Sequence, residues 1–307
     1  MSLKDIKAKI KSVDRTRKVT KAMEAVSAVK MRKSQVRAIS GRPYARAAAS
    51  VLSRLSGSLK TVSHKLTSVR KLSRAAIVVV TSDKGLCGVL NTAVLREADR
   101  AVKELGLSKE SISVYAFGRK GAEYFERRGY DIKARFENVS DDIAITELEE
   151  IVRALTMAFS LAYYDRVFVV YTRFKSTFEQ FALSRTVFPL SVDALREIVD
   201  GILPEKGAFS EKSSEMPATP AFYTVEPTPE AVLDVLIPRL SGVILYNALL
   251  ESKASEHSAR MVAMKNASDK SRDRSKSLTR TFNKARQAMI TREVSEIVGG
   301  IEAMATK

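Results

Sequence analysis

The sequence predicts an α/β chain. A long antiparallel pair of N- and C-terminal helices flanks an open α/β domain, which lies between them in sequence and at one end in space. Three observations predict it. Apolar residues recur every three or four positions through both ends of the 307-residue chain, while short β-branched runs alternate with helical segments in the middle. The charge is segregated: residues 1–46 hold 14 Lys/Arg against 3 Asp/Glu, and residues 251–307 hold 12 against 7. The 204 residues between them hold 26 basic and 25 acidic groups, so nearly all of the net +17 sits on the two ends.

The first element is a helix. Leu3, Ile6, Ile10 and Val13, then Val19, Met23, Val26, Val29 and Val36, keep a three-or-four spacing between mostly Lys and Arg. Gly41 and Pro43 weaken or kink it, the pattern resumes in YARAAASVLSRLSG, and Gly57 serves as a C-cap. Helical throughout, residues 2–56 would span about 80 Å. Residues 58–74, rich in Ser, Thr and Lys, read as a linker.

The period then changes. RAAIVVVTS (74–82) is a strand buried on both faces, followed by a helix at 91–106 ended by Gly106. A strand at 111–118, a helix at 119–129 ended by Gly129, a strand at 132–139 and a helix at 144–162 follow. Strands at 165–174 and 180–190 form an antiparallel hairpin at one edge of an open sheet. The domain is placed at 74–200 and a Gly/Pro/Ser-punctuated linker at 201–227. Thr228-Pro229-Glu230 opens the last helix: a capping Thr, Pro in the first turn and an acid beside it. Pro238 kinks that helix or marks its true start; the helix is assigned to 228–303. Met261, Met264, Leu278, Phe282, Ala285, Met289, Ile297 and Ile301 keep to one of its faces, and 60–70 helical residues would reach roughly 90–105 Å. Two helices of such length do not both fit inside the core of a small domain. Neither carries a sustained apolar heptad seam, which disfavours a strict leucine zipper, while small residues such as Ala22, Ala25, Ala254 and Ala263 permit close approach.

Composition limits the chemistry. One cysteine, Cys87, excludes an internal disulfide and a multi-Cys zinc site, and the two histidines, His64 and His257, lie in no catalytic motif. No cofactor or metal site and no catalytic residue is expected. The loop Thr81-Ser82-Asp83-Lys84-Gly85-Leu86-Cys87-Gly88 sits between a strand and a helix, where phosphate loops occur, but matches neither standard glycine pattern and reads as a tight turn. No apolar run approaches membrane-spanning length, and the charged start is no signal peptide. The basic arms suit an acidic partner: nucleic acid or an acidic protein surface, against a bland reading of solvated helix faces. No aromatic residue interleaves the first arm before Tyr44. Arg286, Gln287, Ile290 and Thr291 share one side of a helix and form a polar patch, either ordinary surface or a directional contact to a partner.

Three blocks together resemble one family. They are IKSV (10–13) through TKAMEAVSAVKMR (20–32), TSDKGLCGVLN (81–91), and ASEHSARMVAMKNASDKS (254–271) with NKARQAMITREVSEIVGG (283–300). With EPTPEAVLDVLIPRL (226–240) they lie along nearly the whole chain and resemble the gamma subunits of F-type ATP synthases, the central rotor shaft. The resemblance implies a left-handed antiparallel coiled coil inserted into a hexamer of alpha and beta subunits. It also implies a Rossmann-like α/β foot that binds the epsilon subunit and the ring of c subunits. Arg286, Gln287 and Thr291 match the family's shaft–beta hydrogen bonds; Met23, with Lys21 and Arg32, matches the region facing the acidic lever of beta. Tyr223 and Glu226 match c-ring contacts, with Val225 between them in place of the usual aromatic. The chain would then do no bond chemistry and bind no nucleic acid. It would couple proton-driven rotation to ATP synthesis, peripheral to the cytoplasmic face of a bacterial inner membrane. A basic helical nucleic-acid-binding or scaffold protein is the alternative. It would bind duplex DNA in a strongly salt-dependent way.

Overall fold

A computed structural model describes residues 2–40, 64–190 and 228–305. The expected helix beyond Gly41, its cap at Gly57 and the 201–227 linker lie outside the described residues. The elements run α1 (Leu3–Ser40), β1 (Ala75–Val80), α2 (Leu90–Leu105), β2 (Ile112–Phe117), α3 (Arg119–Glu126), β3 (Asp131–Phe136), α4 (Glu149–Ser160), β4 (Arg166–Phe174), β5 (Gln180–Phe188) and α5 (Pro229–Ala305). They form two bodies. One comprises residues 1–26 and 260–307, the other residues 27–259.

The second body is built on a five-stranded sheet in the order β3-β2-β1-β4-β5. The first four strands are parallel, and β5 pairs antiparallel with β4 at the edge. β1 is central and every residue of AAIVVV is buried, as a β-branched run without alternation requires when both faces are covered. On one face Ala75, Ile77 and Val79 meet Val94 and Ala98 of α2 and Ala122 and Phe125 of α3. On the other, Ala76, Val78 and Val80 meet Ile151, Leu155 and Phe159 of α4. The first turns of α5 join that face through Leu233, Ile237, Leu240, Ile244 and Leu245. The domain is thus three layers, and the last helix of the chain is part of its core.

The strap before β1, read from sequence as a linker, is packed from residue 64 onward. Leu66 is buried, Arg70 donates to the Phe159 carbonyl at 2.6 Å, and the Ser73 and Arg74 amides donate to Asp165. His64 is buried too: its Nδ1 accepts from the Leu66 amide, which leaves Nε2 to meet Asp234 of α5 at 3.0 Å. Ser, Thr and Lys composition made this segment read as a linker; its anchors at Phe159, Asp165 and Asp234 come from far along the chain.

The turn after β1 satisfies its own polar groups. Asp83 accepts from the Arg119 amide at the start of α3 and from the Asn138 amide, both at 3.0 Å. Ser82, Cys87 and Asn91 close a second small network, with Cys87 buried. The Asp83 carboxylate is thus committed to backbone amides of the chain itself, at the start of α3 and at Asn138. Gly118, at φ 90°, lets the chain cross this point, since a Cβ there would lie 2.2 Å from the Thr81 carbonyl oxygen.

The long helices obey local rules at their starts. Ser2 and Asp5 exchange side-chain and backbone bonds at the head of α1. The Thr228 hydroxyl accepts from the Ala231 amide at the head of α5. Pro238 lies inside α5 rather than at its start. It deprives the Asp234 carbonyl of its helical donor, while the Asp234 side chain is held by His64.

A candidate interaction surface on the long helices

The covered side of α1 follows a seven-residue repeat: Leu3 and Ile6, Ile10 and Val13, Arg17 and Thr20, Glu24 and Ser27, Met31 and Ser34 are all buried or half-buried. The first two repeats are apolar, as the sequence suggested. After Val13 the apolar residues, Met31 apart, leave the seam. Val19 is six residues on, about 120° around the helix from Val13, and Val19, Val26, Val29 and Val36 are all more than half exposed. Small and polar side chains fill the seam instead, with Thr20 Oγ1 turned back to the Thr16 carbonyl at 3.0 Å. A heptad seam is present; it was invisible to an apolar count because its later positions are Thr, Ser, Arg and Glu.

α5 shows the matching pattern in the first body. Met261 and Met264, Ser268 and Ser271, Ser275 and Leu278, Phe282 and Ala285 are buried or half-buried. α1 leaves this body at Val26 and α5 enters it at Arg260, so the two helices run in opposite chain directions. The cover ends at Ala285. From Arg286 to Ile301 every residue is exposed, including the apolar Met289, Ile290, Val294, Ile297, Val298 and Ile301. Met289, Ile297 and Ile301 continue the apolar pattern of α5 but are exposed, with no cover among the described residues.

Six of the eight expected contact residues are described, and all six lie on the two long helices. Arg286, Gln287 and Thr291 are exposed on α5, and the Thr291 hydroxyl donates to the Gln287 carbonyl at 3.0 Å. Lys21 is exposed and pairs with Glu24 at 3.2 Å; Met23 is half-buried. Arg32 is exposed and belongs to the second body. Tyr223 and Glu226 lie outside the described residues. Among the described residues no cluster of His, Cys, Asp or Glu could hold a metal ion.

Sequence reasoning missed a cluster in the second body. Asp141, on the loop after β3, receives Lys30 of α1 at 2.8 Å and His257 of α5 at 2.9 Å. The His257 bond, with Lys30 behind it, holds the Asp141 carboxyl well below the usual carboxylate range. Asp142 pairs with Lys33 at 2.7 Å and Arg37 at 2.8 Å and is lowered chiefly by Lys33. His257, which lies in no catalytic motif, is buried with its Nε2 2.9 Å from Asp141 Oδ1. No local signal joins residues more than a hundred positions apart. The run of cations on α1 facing two adjacent acids is intelligible only once the sheet is built.

The α5 tip has no catalytic constellation. It is a bare helix with an apolar side and a polar patch, suited to contact a surrounding surface. The sequence profile of the ATP synthase family matches residues 2–304. The ATP synthase gamma chain of Heliobacterium modesticaldum is 38% identical over 302 residues, covering 98% of this chain and 99% of its own length. That of Pelotomaculum thermopropionicum is 39% identical over 303 residues, covering 99% of each. Among solved structures, a chain from the central stalk and c-ring of Tetrahymena thermophila mitochondrial ATP synthase superposes with a TM-score of 0.59 at 27% identity. It covers 81% of this chain and 99% of its own length. A chain from the Euglena gracilis mitochondrial ATP synthase shares the fold, with a TM-score of 0.63 over 98% of this chain and 94% of its own, at 19% identity. The seam of two long helices, the three-layer domain and these full-length matches agree: the chain belongs to the gamma-chain family of ATP synthases.

Proposed function

We propose that this chain is the central rotor shaft of an F1Fo ATP synthase. It couples proton-driven rotation of a c-ring to conformational change in catalytic beta subunits, and runs in reverse to pump protons on ATP hydrolysis. The observation that carries this reading is the unaccompanied end of α5, exposed from Arg286 to Ile301 with six large apolar residues on its surface. A single helix exposing this much apolar surface is covered by a partner when it works. The alpha–beta hexamer cavity is that partner. Arg286, Gln287 and Thr291 hydrogen-bond to beta, and Lys21, Met23 and Arg32 face its acidic lever. Tyr223 and Glu226 touch the c-ring, and the epsilon subunit binds the sheet domain.

The chain itself transfers no group. An asymmetric shaft changes nucleotide affinity at each beta subunit only by the difference in its contacts with the alternative beta conformations. Lys and Arg suit this task because their attraction to an acidic surface persists over several ångströms and demands no single geometry. The assembly places the chain at the cytoplasmic face of a bacterial inner membrane, held there through the c-ring.

Reconstitution with alpha and beta subunits tests the assignment. A stoichiometric complex with ATPase activity is expected, and none forming would reject the rotor reading. Arg286→Ala/Gln287→Ala should lower that ATPase roughly thirtyfold, as expected for losing two hydrogen bonds of about 1 kcal/mol each. The melting of the sheet domain should not change. Unaltered ATPase and assembly in the double variant would reject these residues as the beta contact.

A further inference from the structure

The loop that follows β3 holds both long helices, and it holds them by different means. The two oxygens of Asp141 are divided between them: Oδ2 accepts from Lys30 Nζ of α1 at 2.8 Å, and Oδ1 accepts from His257 Nε2 of α5 at 2.9 Å, with Lys253 Nζ 3.9 Å away. Asp142 takes Lys33 at 2.7 Å and Arg37 at 2.8 Å, both from α1. Backbone carbonyls of the loop add to this. Arg37 donates to Asp141 O at 3.1 Å, Lys253 to Val139 O at 2.8 Å, and the Tyr246 hydroxyl to Ile143 O at 3.3 Å.

α5 has a second anchorage, because its turns from Leu233 to Leu249 are buried in the apolar core of the sheet domain. Among the described residues neither apolar cluster of that domain contains an α1 side chain. α1 reaches the loop through polar contacts to Asp141 and Asp142. Exposed ion pairs contribute little one at a time. Here Asp141 is largely covered, its charge is shared between two helices, and four cations plus an imidazole converge on two neighbouring carboxylates, so the group acts as a network.

We propose that the Val139–Ile143 loop is a clasp that fixes the rotational position of α1 on the sheet domain, so that torque entering the domain loads both shaft helices and not α5 alone. This rests on the rotor reading. Asp141 and Asp142 are positioning residues: they touch no substrate and act through the helix they hold.

Two measurements on Asp141→Ala/Asp142→Ala test it. In the first, spin labels at Val29→Cys on α1 and Val89→Cys on the sheet domain, both strongly exposed, report the distance distribution between helix and domain; native Cys87 is buried. The double variant should broaden this distribution about twofold, and high salt should broaden it in the unsubstituted chain by screening the clasp. In the second, a probe on the sheet domain of the complex with alpha and beta reports angular fluctuation between rotation steps. Its variance should roughly double when one of two helices stops sharing the load, while ATP hydrolysis stays near the unsubstituted rate. Unchanged distance widths and unchanged angular variance would overturn the clasp. Should the alanine variant lose cooperative unfolding, Lys30→Gln/Lys33→Gln leaves the loop intact and carries the same comparison. The spin-label arm needs no partner subunits, so failure of the complex to form with the unsubstituted chain would reject the rotor reading and leave the clasp to be decided there.

Discussion

Gly118 shows how one residue fixes the layout around β1. The chain leaves β2 in a left-handed conformation and passes so close to Thr81 that a methyl group would overlap its carbonyl oxygen. Thr81 in turn accepts the Gly121 amide at 2.8 Å, tying α3 to the end of β1. Gly118→Ala should cost about 1–3 kcal/mol, since both strain and overlap must be absorbed by backbone; urea unfolding of the chain would measure it, and a loss below 0.5 kcal/mol would contradict the geometry. Sequence inspection placed Gly118 at a strand end without assigning it this task, because the neighbour it must clear lies 37 positions earlier. Asp83 is similar. As part of a Gly-containing turn it read as a weak phosphate-loop candidate, and the structure gives it a structural task between α3 and Asn138.

At the scale of elements, local patterns were readable where burial is decided locally. β1 announced itself as AAIVVV because both its faces are covered, and α5 announced its start through Thr228 and Pro229. Two things were not readable. Strand order depends on pairings between distant segments, such as β1 with β4, that no local window contains. The seam of α1 was obscured because the apolar stripe and the covered stripe coincide for two repeats and then part. Propensity also yielded to packing: Pro238 neither ends nor begins α5, because Ile237 and Leu240 on either side of it are buried in the sheet domain. Removing that packing should therefore be expensive. Ile237→Ala should destabilise the sheet domain by about 2–5 kcal/mol, seen as a lower midpoint in thermal unfolding, with the helical signal of the first body less affected.

At the scale of the whole molecule, the division of charge corresponds to a division of labour. The near-neutral middle of the sequence folds into a domain with its own core, and the basic ends supply the long helices. Those helices carry apolar residues on α1 and on the last turns of α5 that are exposed among the described residues. Purified without partners, the chain should self-associate as its concentration rises, which sedimentation velocity would show. Ile297→Gln/Ile301→Gln should shift the population toward monomer, and a concentration-independent monomer for the unsubstituted chain would count against these faces as sticky. The place where cover stops has a mechanical meaning as well. Up to Ala285 the first body is two-ply, with α1 alongside α5; beyond it α5 is a single ply among the described residues. Elements in series carry the same torque, so the single-ply stretch of α5 from Arg286 to Ile301 twists more per residue than the two-ply stretch ahead of it.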